Sequence, residues 1–107
     1  MNALEALADP TRRRIVELLA DGERSAGELA SHFRTSRPAV SRHLRVLREQ
    51  GLVRTRSEAQ RRVYSLDPAP LAELDAWLAR YRSFWTNRLG ALDTEVRRRN
   101  RPPKEDR

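Results

Sequence analysis

"SRPAVSRHLRVLREQGLV", residues 36–53, packs four arginines and two serines into one short helical pattern. At about 100° per residue, Val40, Leu44 and Leu47 fall on one side of a helix, with His43 beside them. Ser41, Arg42 and Arg45 fall on the other side, and Arg37 stands at the N-terminal end. Ser36 has the side chain of an N-cap, Pro38 lies in the first turn where a missing N–H costs little, and Gly51 suits a left-handed C-cap. The pattern predicts a short helix with an aliphatic back resting on neighbouring helices. Its front is an arginine-rich surface held out rigidly. His43, on the inner side, reads as a packed residue rather than a metal ligand, and His32 as a surface or helix-end residue.

Upstream, "NALEALA" (residues 2–8) is a short helical stretch with Leu4 and Leu7 on one face. "DPTRRRIVELLADG" (9–22) has an N-cap in Asp9, a proline at the first helical position and a terminating glycine. Ile15, Leu18 and Leu19 form its buried stripe. In "RSAGELASHF" (24–33), Ser25 followed three residues later by Glu28 is a capping box, with Leu29 and Phe33 facing inward. "RTS" (34–36) leaves room only for a tight turn.

Downstream the period changes. "LVRTRSEAQRRVYSL" (52–66) alternates around the polar "SEAQ" and predicts a two-stranded hairpin, about 52–57 and 61–66. In "DPAPLAELDAWLARYRSFWTNRLGALDTEVRRR" (67–99), Asp67 caps and Pro68 opens a helix. Leu71, Leu74, Leu78, Tyr81, Trp85, Leu92 and Val96 recur at three-and-four spacing, with Leu89 adjacent. A continuous helix of that extent runs roughly 40 Å, too long for so small a domain to cover. It reads either as a core helix with a frayed end or as a dimer seam. The seam is preferred, because Trp77, Phe84 and Trp85 bracket a stripe that would otherwise face water. Its residues are Leu74, Leu78, Tyr81, Trp85 and Leu92, shared with Leu4 and Leu7. Gly90 marks a local weakness in the helix.

The chain of 107 residues carries a formal charge of +7 and no cysteine. That length suits one domain, expected over residues 1–99, with a disordered basic tail at 100–107; the tail also reads simply as a solvated terminus. The missing cysteine excludes disulfides and thiolate metal sites. No apolar run approaches a membrane span, and the N-terminus lacks a secretory pattern, so the cytoplasm is the expected location. The charge is localised. Between 36 and 62, eight arginines (Arg37, Arg42, Arg45, Arg48, Arg54, Arg56, Arg61 and Arg62) face two acids, Glu49 and Glu58. Such a concentration is the footprint of a polyanion binder.

Two short helices, a tight turn, an arginine-faced helix and a basic hairpin predict a winged helix-turn-helix. It is mainly α with a two-stranded β wing, in the order α-α-α-α-β-β-α, dimeric through its terminal helices. The B-DNA major groove is about 12 Å wide and admits one helix. Arg42 and Arg45 can donate to guanine edges and phosphates. Ser36, Ser41 and the helix N-terminus suit phosphate oxygens, and Arg56, Arg61 and Arg62 suit the flanking backbone or minor groove.

Residues 3–66, above all "LADPTRRRIVELL" and "SRPAVSRHLRVLREQGLV", resemble the ArsR/SmtB family of bacterial winged-helix repressors. The resemblance implies a homodimer on a partly palindromic operator in double-stranded DNA, its fourth helix in the major groove. On that pattern Ser36, Arg37, Ser41, Arg42 and Arg45 are recognition-helix positions, and Arg56, Gln60, Arg61 and Arg62 belong to the wing. Metal-responsive members often carry cysteines on the third helix, or Asp/Glu/His pairs on the last. Here the third helix reads "GELASHF", and the last has Glu73 and Asp75 without histidine. The resemblance therefore points to the metal-independent, autorepressor-like branch, without cofactor or metal ligands. Control by the chain's own concentration, a protein partner or a small-molecule effector stays open.

Three other classes compete with this reading. An enzyme would need a nucleophile–base pair, a carboxylate dyad or a metal, and no such constellation or phosphate-binding glycine loop occurs. A protein-docking winged helix has no use for so much charge on one helix and hairpin. A sequence-indifferent architectural DNA binder would fit the charge equally well, and competition with bulk DNA separates it from a specific repressor.

Overall fold

The computed structural model describes residues 2–100. The chain divides into two compact units, one ending at Leu74 and the other starting at Asp75. The elements run α1 (Ala3–Ala8), α2 (Pro10–Ala20), β1 (Arg24–Ser25), α3 (Ala26–Ala30), α4 (Arg37–Glu49), β2 (Val53–Glu58), β3 (Arg61–Leu66), α5 (Pro68–Ala79) and α6 (Arg82–Asn100). The mainly helical winged helix-turn-helix read from the sequence is the fold observed.

The first unit is assembled by its caps. Asp9 accepts from the Arg12 N–H at 2.9 Å, closing the start of α2 behind Pro10. Ser25 and Glu28 form the reciprocal capping box of α3. Ser36 Oγ accepts from the Ala39 N–H at 3.3 Å and starts α4. Gly51 follows α4 with φ +76°, a conformation that glycine adopts without a Cβ clash.

These ends aim the apolar faces inward. Ile15, Leu29, Val40, Leu44, Leu47 and Leu52 are the most deeply buried large side chains. Each such burial contributes about 1.5–3 kcal/mol, so the back of α4 is its anchor. Leu7, Phe33 and Leu71 pack half-buried against this core. His43 departs from the expectation of a purely packed residue. Its Nδ1 lies 3.4 Å from Arg12 Nη1 and 3.7 Å from Asp9 Oδ2, so it joins a polar cluster at the start of α2. There Arg12 also donates from Nε to the Ala6 carbonyl at 2.8 Å.

The sheet has one strand more than expected. β2 and β3 form the hairpin, in register from Val53↔Leu66 to Glu58↔Arg61. The two-residue β1 adds antiparallel to the free edge of β3, giving the order β1-β3-β2. As the middle strand, β3 buries two consecutive residues, Val63 and Tyr64. Consecutive strand residues point to opposite faces, so both faces of β3 are covered there. At the hairpin tip Ala59 takes φ +56°, the left-handed region.

The single long helix expected from residue 68 onward is two helices. The ladder tightens at Arg80 and Tyr81, whose N–H groups donate to Trp77 and Leu78 in i→i+3 bonds. Tyr81, Ser83, Phe84, Trp85, Thr86 and Asn87 all come from the weaker half of the helix-propensity scale. The spacing of the apolar stripe carries no information about that weakness. The Trp77 and Tyr81 rings meet beside the break, centroids 5.1 Å apart. The tail expected at 100–107 lies, beyond the backbone of Asn100, outside the described residues.

Candidate nucleic-acid interface

Helix α4 fixes the site. Because Val40, Leu44 and Leu47 hold its back, Ser41, Arg42, Arg45 and Arg48 are all exposed on its front. Ser36 and Arg37 are exposed at its N-terminal end. The Arg37 guanidinium lies against α3, 3.3 Å from where a Cβ on Gly27 would stand.

The hairpin contributes its side chains according to the pleat. Paired residues of an antiparallel ladder share a face, so Arg56, Glu58, Arg61 and Val63 stand on one side of the hairpin. Thr55, Ser57, Arg62 and Tyr64 stand on the other. The two faces have different electrostatics. On the first, Arg56 donates to Glu23 at 2.8 Å and to Glu58. Arg61 stands 3.5 Å from Glu58 and 3.8 Å from Glu28. The Arg56 hydrogen bonds hold the carboxyls of Glu23 and Glu58 below the usual glutamate range. The same bonds raise Arg56 further above its ordinary value, Glu23 contributing most. Glu28 is lowered chiefly by the Ser25 backbone N–H of the capping box. Arg54 is likewise paired, at 3.0 Å from Asp67.

On the second face Arg62 and Tyr64 turn toward α4. With Pro38, Ser41, Arg42, Leu44, Arg45 and Arg48 they line an open depression of about 480 Å³. Among the described residues, Arg37, Arg42, Arg45, Arg48 and Arg62 form no ion pair with any carboxylate. Their donors are free for an external anion.

Of the residues expected to meet DNA, the structure gathers Ser41, Arg42, Arg45 and Arg62 around one depression. Ser36 and Arg37 stand at the start of the same helix, and Gln60 is exposed at the wing tip. Arg56 and Arg61 are exposed but engaged with acids on the other face of the wing. The sequence reading missed Arg48. The signal was there, since Ser41, Arg45 and Arg48 follow an i, i+4, i+7 spacing. It also missed Tyr64 as part of the floor and Glu23 as the partner of Arg56.

Of the seam residues, Leu4, Tyr81 and Leu92 are exposed and Leu7, Leu74, Leu78 and Trp85 are half-buried. Trp77, Phe84, Leu89 and Val96 are exposed as well, and the Arg88 guanidinium sits 4.3 Å from the Phe84 ring centroid. Among the described residues, no helix is long and apolar enough to cross a membrane.

A supported, basic helix beside a β wing defines a winged helix-turn-helix DNA-binding protein. Comparison with known proteins sharpens the class. The profile described as "Bacterial regulatory protein, arsR family" matches residues 9–55. The HTH-type transcriptional regulator Rv2034 of Mycobacterium tuberculosis is 54% identical over 87 residues, covering 81% of this chain and 78% of that protein. The transcriptional repressor SdpR of Bacillus subtilis is 35% identical over 80 residues, covering 75% of this chain and 89% of that protein. A crystal structure described as a "Possible transcriptional regulator for arsenical resistance" superposes with a TM-score of 0.71 at 47% identity, covering 89% of this chain and 96% of that one. The chain belongs to the ArsR family and is a DNA-binding transcriptional regulator, not an enzyme.

Proposed function

We propose that the chain is a homodimeric repressor. It binds a partly palindromic operator in double-stranded DNA, works in the cytoplasm and needs no metal effector. In this reading residues 1–99 serve together for DNA binding and dimerisation. Ser36, Arg37, Ser41, Arg42 and Arg45 meet the major groove, and Gln60 and the wing arginines meet the flanking backbone. The metal-free reading rests on a sequence without cysteine.

The observation that carries the pairing is the uncovered apolar surface of the terminal helices. Phe84, Leu89 and Leu92 are 59%, 58% and 60% exposed, and Leu4 on α1 is 55% exposed. Large apolar side chains left exposed on the terminal helices of a small chain support an association site. A two-fold pair of basic helices in turn matches an operator with two half-sites.

Sedimentation of the full chain, with gel shift and footprinting on its own upstream DNA, tests this. The expected result is a dimer, a symmetric footprint and a dimer loosened by Trp85→Ala. A monomer at the concentration that protects DNA would overturn the pairing, and an asymmetric footprint would overturn the palindrome.

A further inference from the structure

The depression between α4 and β3 gathers four guanidiniums in one concave place. Arg42, Arg45 and Arg48 converge on it from α4 and Arg62 from β3, while Ser41 offers a hydroxyl. No carboxylate lines it, and none of the four guanidiniums is ion-paired among the described residues. Four like charges held together raise one another's free energy, and an anion between them relieves that repulsion. The floor is formed by Leu44 and Tyr64, 1% and 9% exposed. Low-dielectric side chains beneath a charged concavity focus its field outward. The volume of about 480 Å³ falls within the range of small-ligand sites, roughly 300–1,000 Å³.

We infer that this depression is a binding site for a small polyanion carrying two or three phosphate groups. Guanidinium forks pair bidentately with phosphate oxygens, and four of them match the charge of a compact di- or triphosphate. The anion occupies the face of α4 that reads DNA, so ligand and operator exclude each other. The site would therefore act as a regulatory one that releases the promoter. This deepens the proposed function in its second half: competition rests on α4 being the DNA-reading helix, whereas anion binding does not.

The test is calorimetry of the full chain with inorganic triphosphate at constant ionic strength, followed by displacement of labelled upstream DNA. Saturable binding at one ligand per chain is expected. Arg62→Ala and Arg48→Ala, both at exposed positions, should each weaken it about tenfold or more. Arg14→Ala, which removes the same charge from the outside of α2, should leave it unchanged. At matched ionic strength, triphosphate should release DNA where chloride does not. No saturable binding, or equal weakening by all three substitutions, overturns the inference. If DNA binds and triphosphate does not, only this inference fails. If triphosphate binds and DNA does not, the site stands and the repressor reading falls.

Discussion

Arg61 and Arg62 are neighbours in the chain and opposites in the fold. Arg61 shares its face of the hairpin with Arg56 and Glu58, and every guanidinium there has a carboxylate partner. Arg62 shares its face with Tyr64 and looks onto α4, where no carboxylate among the described residues lines the depression. Counting arginines therefore overstates the basic surface of the wing. A paired arginine gives up an internal partner before it meets a phosphate. An unpaired one gives up only water.

The comparison orders the expected effects of substitution. The largest belongs to α4. Arg45→Ala should cost on the order of 1–3 kcal/mol on the preferred operator and relax preference at one base position. Titration against single-base operator variants checks this, and an equal loss on every sequence would move Arg45 from base readout to backbone contact. Next comes Arg62→Ala. It should weaken binding uniformly across sequences and reduce the slope of log affinity against log salt by about one. Arg61→Ala should change that slope less, and equal slopes for the two would erase the contrast between the faces.

A smaller effect concerns pH. Glu23 and Glu58 have folded-state acidities pulled below the usual glutamate range by Arg56. The stabilisation they lend the wing is therefore complete above the unfolded value of about 4.3 and is lost as pH falls through the folded value. These groups are exposed, so the response is local and is screened by salt. The Arg56 Nε–H resonance should shift through that acid window while that of Arg62 holds still, and in Glu23→Gln the shift should shrink. Identical titration of both arginines would mean that the pairing with Glu23 does not persist in solution.

What the sequence made legible was local. Asp9, Ser25 with Glu28, and Ser36 are caps whose partners lie three residues away, and each forms where expected. The back and front of α4 followed from helical period alone. The hairpin followed from the change to alternation, with β2 ending one residue later than expected. Less legible features lacked a local signature. β1 is two residues long and has no period to detect. The break before α6 carries no proline or glycine, and the apolar stripe runs across it unchanged. Glu23 and Arg56 are 33 residues apart, and only the folded sheet brings them together. For the same reason the wing arginines read as equivalent until the register sorted them.

One detail at the hairpin tip concerns durability rather than recognition. An alanine held at φ +56° is strained by its own methyl group, by roughly 1 kcal/mol relative to a relaxed backbone. Ala59→Gly should recover part of that, and calorimetric melting should register a slightly hotter transition. Ala59 is exposed at the tip and is not among the residues that line the arginine depression. Heat tolerance could thus be tuned through one backbone position, without any change to the apolar core.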